Sequence, residues 1–153
     1  MNTKTAKKIG EAHAFAAVLQ TTNERVPSVM TELFADKAGT IAKTCVNQQQ
    51  VLENLARENN MLETVTEKSS KTIAKIDGMA EAYVGDEWDN PVEVLEWMSF
   101  LLGAATVHWD VITGSGQGLS HETLTTAATE GAEYYNSLLQ SARAKAKEIG
   151  AER

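Results

Sequence analysis

Residues 41–83 read IAKTCVNQQQVLENLARENNMLETVTEKSSKTIAKIDGMAEAY, and this stretch decides the fold expected for the chain. Its apolar and small residues recur at alternating spacings of four and three, which is typical of a helix that packs along a partner in a coiled coil. The pattern predicts one helix of about 45 residues, roughly 67 Å long at 1.5 Å per residue. The heptad positions are Ile41, Cys45, Gln48, Leu52, Leu55, Asn59, Leu62, Thr66, Ser69, Ile73, Ile76, Ala80 and Tyr83.

Asn59 and Asn60 mark the one place where this long helix would break. Asn60 followed by Glu63 matches a capping box, which would start a new helix at this point. The unbroken heptad phase across the two asparagines favours a continuous helix instead. Gln48, Asn59 and other polar residues of the seam are expected to fix its register or to contact water.

Helical periodicity also extends towards the amino terminus of the chain. Residues 5–34 carry an apolar stripe at mixed three- and four-residue spacing, which predicts a first helix. Pro27 lies inside this stripe. Because the stripe continues beyond the proline, a kink is favoured over a complete stop.

A further helix is predicted over residues 91–113. Asn90 is typical of an N-cap, Pro91 of a first turn, and Glu93 of the third residue of a capping box. The segment is apolar nearly all round its circumference, so we expect it to be the central helix of the fold. Its small residues around Gly103 leave a shallow place where another backbone would approach closely.

The carboxyl-terminal part of the chain is predicted to form one more helix. Residues 114–118, GSGQG, are typical of a flexible link, and Ser120 is a suitable N-cap for a helix that continues to about residue 148. One face of this helix consists largely of small residues, so it is expected to pack against the Gly103 region.

These patterns predict a single domain over residues 1–153. No segment alternates apolar and polar residues over the length of a strand. The expected fold is all-α, an antiparallel bundle of four or five helices that includes one long heptad-patterned helix.

The charge of the chain restricts its partners and location. The sequence has 14 lysines and arginines against 21 aspartates and glutamates, a formal net charge of -7, which opposes binding to nucleic acid or anionic lipid. The longest apolar stretch spans about 11 residues, whereas a bilayer crossing needs about 20. Cys45 is the only cysteine, so no intrachain disulfide forms. We therefore expect a cytoplasmic protein that binds neither nucleic acid nor membrane.

Paired carboxylates are the first candidates for a metal site. Glutamates three residues apart lie on one helix face, where they can serve as ligands inside a bundle. Di-iron carboxylate bundles also need a Glu-x-x-His motif, which the sequence lacks. Capping and solvated helix faces explain these residues better, so no cofactor is predicted. The candidate ligands are His108, Asp110, Glu93, Glu96, Glu130 and Glu133.

His108 and Trp88 each have a structural and a functional interpretation. His108 lies on an apolar stripe, so we expect it to point into the bundle and hydrogen bond to a neighbouring helix. Trp88, in the acidic loop before Asn90, is expected to pack back on the next helix, although it would also suit a partner's surface.

The heptad-patterned helix also indicates an assembly. A helix of roughly 67 Å exceeds the roughly 35 Å of the 91–113 helix, so part of the seam would be bare and a homodimer is expected to cover it. The sequence thus predicts a non-enzymatic helical interaction protein, such as an adaptor, small chaperone or accessory subunit. The rival hypothesis is a metal-dependent or small-molecule-binding helical-bundle enzyme with carboxylate and histidine ligands. The candidate interaction residues are Trp88, Ile73, Ile76 and Tyr83.

Overall fold

The computed structural model describes residues 1–153, and it contains α-helices and no strand. The expectation of an all-α helical bundle is therefore confirmed. A short 3-10 turn, Ala35–Lys37, links the second and third helices. The helices are α1 (Thr3–Arg25), α2 (Pro27–Phe34), α3 (Ala38–Glu58), α4 (Leu62–Tyr83), α5 (Pro91–Gly118) and α6 (Glu122–Ala151).

Four of the long helices, α1, α3, α6 and α5, close an antiparallel bundle around one core. Two hydrogen bonds show that α1 and α3 run in opposite directions. Gln20, late in α1, bonds to Gln49, whereas the earlier residue His13 bonds to Glu53, which lies further along α3. The most extensive contact joins α5 and α6. The short helix α2 contacts α3, α5 and α6.

The fifth long helix, α4, lies against α1 and runs parallel to it. Gly10, near the start of α1, lies against Val65 of α4, whereas Thr22, near the end of α1, lines the same groove as Ala80. A Cβ atom at Gly10 would lie 2.7 Å from the Val65 carbonyl oxygen, closer than a real Cβ contact. The α1 and α4 backbones therefore pack in direct contact because residue 10 is a glycine.

The prediction of one continuous helix over the heptad-patterned segment is wrong. The chain reverses at residues 59–61, where Asn60 has the left-handed backbone angle φ 56° that asparagine tolerates better than most residues. The side chain of Asn59 donates to the Leu55 carbonyl at 2.8 Å and satisfies an acceptor at the end of α3. Each half of the seam then packs on α1, so the length mismatch that indicated a homodimer is absent.

The first helix stops at Pro27, where a kink was expected. Val26 has non-helical angles, φ −130° and ψ 59°, and Pro27 occupies the first turn of α2. A proline disfavours helical geometry in the preceding residue and has no N–H group to continue the hydrogen-bond ladder. This break frees α2 to change direction and contact three other helices.

The glycine-rich segment 114–118 belongs to α5, and its prediction as a flexible link is wrong. A Cβ atom at Gly116 would lie 2.5 Å from Thr125 Oγ1, so this turn packs tightly on α6. Close packing therefore outweighs the low helix propensity of glycine. Instead of Ser120, His121 caps α6, because its Nδ1 accepts a hydrogen bond from the Leu124 N–H at 3.2 Å.

The central helix is α1, and the expectation that α5 holds this position is wrong. Neighbours on three sides, α3, α4 and α5, contact α1, and its Ala12, Ala14 and Ala16 are fully buried. Small side chains let several helices approach one axis closely. By contrast, α5 leaves Phe100 58% and Val107 60% exposed. An apolar circumference was therefore not a reliable sign of a central position.

Two glycine substitutions test the close contact of α1 with α4. Gly10→Ala is expected to lower the free energy of unfolding by about 2 kcal/mol, because its Cβ would overlap the α4 backbone. Gly78→Ala is the control, since an added Cβ there meets nothing within 4 Å, and it is expected to stabilise α4 by about 0.5–1 kcal/mol. Urea unfolding measures both. Equal stability of the two variants would contradict the packing of α4 on α1.

Candidate functional site

His13 on α1 makes the polar contact that most resembles a catalytic arrangement. Its Nδ1 lies 2.7 Å from the Ser69 hydroxyl on α4, and its Nε2 lies 2.9 Å from Glu53 Oε1 on α3. A serine, a histidine and a carboxylate in one chain of hydrogen bonds are the parts of a hydrolytic triad. The sequence did not indicate this set, because its members are 40 and 56 residues apart.

Burial of Ser69 assigns the His13 contacts a structural role. Ser69 is 3% exposed, so its hydroxyl is covered where a nucleophile must meet its substrate. Both ring nitrogens of His13 are engaged with helices other than its own. These bonds satisfy polar groups at the junction of α1, α3 and α4. They also fix the positions of the three helices relative to one another along their axes.

Glu11 forms a second polar junction on the side of α1 that faces α4 and α5. Its carboxylate accepts from Lys8 at 2.7 Å and lies 3.1 Å from the amine of Lys68 and 3.1 Å from His108 Nε2. Partial burial by itself would raise the pKa of Glu11, but the hydrogen bonds from Lys8 and Lys68 and the charges nearby lower it below its usual value. The carboxylate therefore holds three cationic or hydrogen-bonding groups together.

His108 contacts a neighbouring helix, as expected, but it lies at the edge of the bundle. Its side chain is 28% exposed. Nδ1 lies 2.7 Å from the Ala104 carbonyl oxygen, and the ring packs 4.8 Å from that of Phe15. With Nε2 directed at Glu11, both nitrogens are occupied by structural partners.

The predicted metal ligands do not come together. No group of three histidine, cysteine, aspartate or glutamate side chains is placed to hold a metal ion. His108 pairs with Glu11, Glu96 accepts a hydrogen bond from Tyr83 at 3.1 Å, and Glu130 lines a separate cleft beside α3. The other three predicted ligands are Glu93, at the start of α5, and the exposed residues Asp110 and Glu133. They do not form a metal site with the rest of the set.

Most of the predicted interaction residues are covered by the fold. Trp88 is 9% exposed, with the Arg25 guanidinium 4.2 Å from its ring centroid, and Ile76 is 5% exposed. Ile73 is half-buried against the core. These three pack on neighbouring elements because α4 folds back onto α1. Tyr83, 40% exposed, is the member of the set that remains on the surface.

An uncovered apolar surface instead lies on α5, and we call it the α5 face. It comprises Phe100, Ala104, Val107 and Val111, which recur at helical spacing over about 16 Å. Val111 is 44% exposed. An added Cβ at Gly103, next to Ala104, would meet nothing within 4 Å. The last helix was expected to cover the Gly103 region, but α6 packs on the other side of α5.

The two ends of the α5 face differ in charge. Carboxylates are concentrated at the end where α4 finishes and α5 begins. The pKa of Tyr83 at this end is raised by burial, by its hydrogen bond to Glu96 and by the negative charges of Glu96 and Glu93. The sequence has no lysine or arginine between Lys75 and Arg143, and the cation that lies among these carboxylates is Arg25 of α1, which lines clefts with four of them. The residues of this acidic end are Asp77, Glu81, Asp86, Glu87, Asp89, Glu93 and Glu96.

At the opposite end of the α5 face, an open cleft of about 660 Å³ separates α5 from α4 and exposes the start of α1. Val111 and Leu119 supply its apolar lining. Lysines from two helices surround it, in a chain whose net charge is negative. Glu11 also lines the cleft and pairs with two of these lysines, Lys8 and Lys68, so Lys4 and Lys7 are the ones without an ion pair. The residues of this basic end are Lys4, Lys7, Lys8 and Lys68, with Lys71, paired with Glu67, in the adjoining groove.

No known protein family, curated protein or solved structure is detectably similar to this chain. None of its helices has the length and apolar character needed to cross a membrane.

Substitution of Glu11 tests the junction of α1, α4 and α5. Glu11→Gln is expected to lower the free energy of unfolding at pH 7 by about 1 kcal/mol, because the neutral amide pairs weakly with the lysines. Since folding lowers the pKa of Glu11, its contribution is present above the ordinary value of 4.5 and is lost as the pH falls through the lower folded value. The variant and the parent protein should therefore converge in stability in acid.

Urea unfolding at pH 7 and at about pH 3 measures this difference. Glu133→Gln removes an exposed carboxylate with no ion pair and serves as the control. An equal loss for Glu11→Gln at both pH values would show that side-chain packing, and not charge, explains its effect.

Proposed function

We propose that this protein is a helical interaction protein that pairs with a second copy of itself through the α5 face. The observation that carries the proposal is the run of exposed Phe100, Val107 and Val111 along one line of α5. Contiguous apolar strips of this kind usually mark contact surfaces. The function is binding by helix-to-helix contact, as in an adaptor or accessory subunit.

Helix packing geometry supports α5 as the binding element. Gly103 and Ala104 lie between Phe100 and Val107, so the middle of the α5 face is shallow and its two ends project. A second helix would approach closely over the small residues while large side chains pack at either side. Tyr83 widens the surface at one end, since its ring lies 5.1 Å from that of Phe100.

Charge supports a second copy as the partner. In an antiparallel pair about a two-fold axis between Ala104 and Val107, Phe100 of each copy meets Val111 of the other. Glu93 and Glu96 of each copy then face the cleft that Lys4 and the other basic-end lysines surround. A surface with opposite charges at its two ends is complementary to itself when one copy is reversed.

The strip is short, so the pairing should be weak and reversible. An interface on one helix and its flanks falls at the small end of specific protein interfaces, where contacts are transient. A dissociation constant of about 10 µM is expected. Such a dimer exchanges readily, which suits a protein that brings partners together.

A charge in the middle of the α5 face is expected to separate the dimer. Val107→Glu should weaken association at least about 30-fold, because the carboxylate would be buried near the two-fold axis without a partner. Val46→Glu makes the same substitution at a residue of α3 that is 50% exposed, and it should leave association unchanged. Sedimentation at several concentrations measures both. A parent protein that is monomeric up to about 100 µM would rule out this pairing.

A charge exchange tests the reversed orientation. Glu96→Lys and Lys4→Glu should each weaken association about fivefold, because each places like charges at the contact between the acidic and basic ends. The double variant restores opposite charges and should regain affinity to within about twofold. Additive losses in the double variant would show that these residues do not meet across the dimer.

A further inference from the structure

The cleft at the basic end of the α5 face also has the features of a binding site for an anion. Its volume of about 660 Å³ is in the usual range for sites that hold small molecules. Four lysines line it against one carboxylate, Glu11. Because Glu11 is already paired with Lys8 and Lys68, no ion pair balances the charges of Lys4 and Lys7. The cleft is therefore positively charged in a chain whose net charge is negative.

The start of α1 forms part of the wall of this cleft. The side chain of Asn2 accepts from the Thr5 N–H at 2.9 Å, and the N–H groups that precede Thr5 have no partner within the helix. These free N–H groups and the helix dipole favour a negative charge at this position. A defined site also needs a side chain that is held in place to meet the ligand.

Thr5 supplies such a side chain. It is 4% exposed and lines the cleft, and its hydroxyl makes no hydrogen bond within the protein. The other buried threonine, Thr22, donates to the Val18 carbonyl at 2.8 Å. The Thr5 hydroxyl is also not one of the unpaired side-chain atoms that the protein encloses completely, so a molecule in the cleft can reach it. Because buried polar groups are nearly always paired, this hydroxyl indicates a ligand with a hydrogen-bond acceptor.

The rest of the lining indicates the class of that ligand. Two unpaired lysines, a helix start and a hydroxyl donor suit the two charges and several oxygens of a phosphate better than the single charge of a carboxylate. Val111 and Leu119, 44% and 40% exposed, form an apolar wall in the same cleft. A phosphate ion alone would leave this wall in contact with water, whereas an attached apolar group would cover it.

We infer that the cleft binds a small soluble phosphate monoester that carries an apolar group. The phosphate oxygens accept from the ammonium groups of Lys4 and Lys7 and from the Thr5 hydroxyl, and the apolar group packs on Val111 and Leu119. A small molecule is favoured over a phosphate group on a lipid surface, because the lysines surround a recess between helices and the net charge of the chain opposes an anionic membrane.

This inference does not rest on the proposed self-association. The two share the basic end, so a bound phosphate and Glu96 of a second copy would compete for Lys4. Measurements at about 5 µM protein, below the expected dimer dissociation constant, keep most of the chain monomeric and the cleft open.

Saturation-transfer difference NMR with butyl phosphate tests the inference. In a phosphate-free buffer at about pH 7.5 the ligand carries close to two negative charges, and a dissociation constant of about 1 mM is expected. Butyl sulfate, with one charge, should bind about fivefold more weakly. Inorganic phosphate, without the butyl group, should compete about tenfold more weakly. Butanol, which has no charge, should not bind detectably.

Two variants of the cleft and two matched controls locate the site. Lys4→Gln should weaken butyl phosphate binding about fivefold, whereas Lys43→Gln, the same change at an exposed lysine of α3, should leave it unchanged. Thr5→Val keeps the shape of the side chain and should weaken binding about fivefold, because the hydroxyl donor is lost. Thr129→Val, at an exposed threonine of α6, should have no effect on binding.

Urea unfolding separates recognition from folding in the Thr5→Val variant. Since the Thr5 hydroxyl has no partner in the protein, its removal should leave the urea midpoint of the parent unchanged. A loss of binding at an unchanged midpoint then reports contact with the ligand.

The results either support or overturn the inference. Saturable binding of butyl phosphate that both Lys4→Gln and Thr5→Val weaken supports it. No saturable binding up to about 20 mM, equal affinity for butyl phosphate and butyl sulfate, or unchanged binding in Thr5→Val overturns it. Vesicles that contain phosphatidic acid present the same phosphate group on a lipid surface, and the protein is expected not to sediment with them. Sedimentation with the vesicles but no binding of butyl phosphate would overturn the small-molecule assignment in favour of a membrane surface.

Discussion

The fold depends on the close approach of three helices to α1. This helix carries small residues where its neighbours cross it, and Gly10 leaves no room for a side chain beside the α4 backbone. Because Ala12, Ala14 and Ala16 are fully buried, α3, α4 and α5 all pack near the same axis. A larger residue at these positions would push a neighbour outward and open the core.

The position of α1 explains both the reversal at Asn60 and the uncovered surface of α5. The chain must turn back after α3 so that α4 can lie parallel to α1 on its outer side. In that place α4 covers α1 and reaches α5 mainly where Tyr83 meets Phe100. The line from Phe100 to Val111 consequently has no covering helix, and its two ends receive opposite charges from the surrounding helix termini.

Residue types that often perform chemistry serve packing in this molecule. His13, Ser69 and Glu53 form a chain of hydrogen bonds, yet the buried serine joins helices instead of meeting a substrate. Glu11 similarly draws His108 and Lys68 to α1.

The sequence by itself determined the helical class of the chain and the start of α5, since periodicity and the Asn90 and Pro91 signals are local properties. It did not determine where the helices end. The heptad phase runs unbroken through Asn60, and the glycines at 114–118 are poor helix formers, so only contacts with α1 and α6 decided those outcomes. The same holds for the sites. The partners of His13 and Glu11 are brought together by tertiary packing. The exposure of α5 depends on which helix became central, and that is decided by contacts between segments far apart in the sequence, which local patterns do not predict.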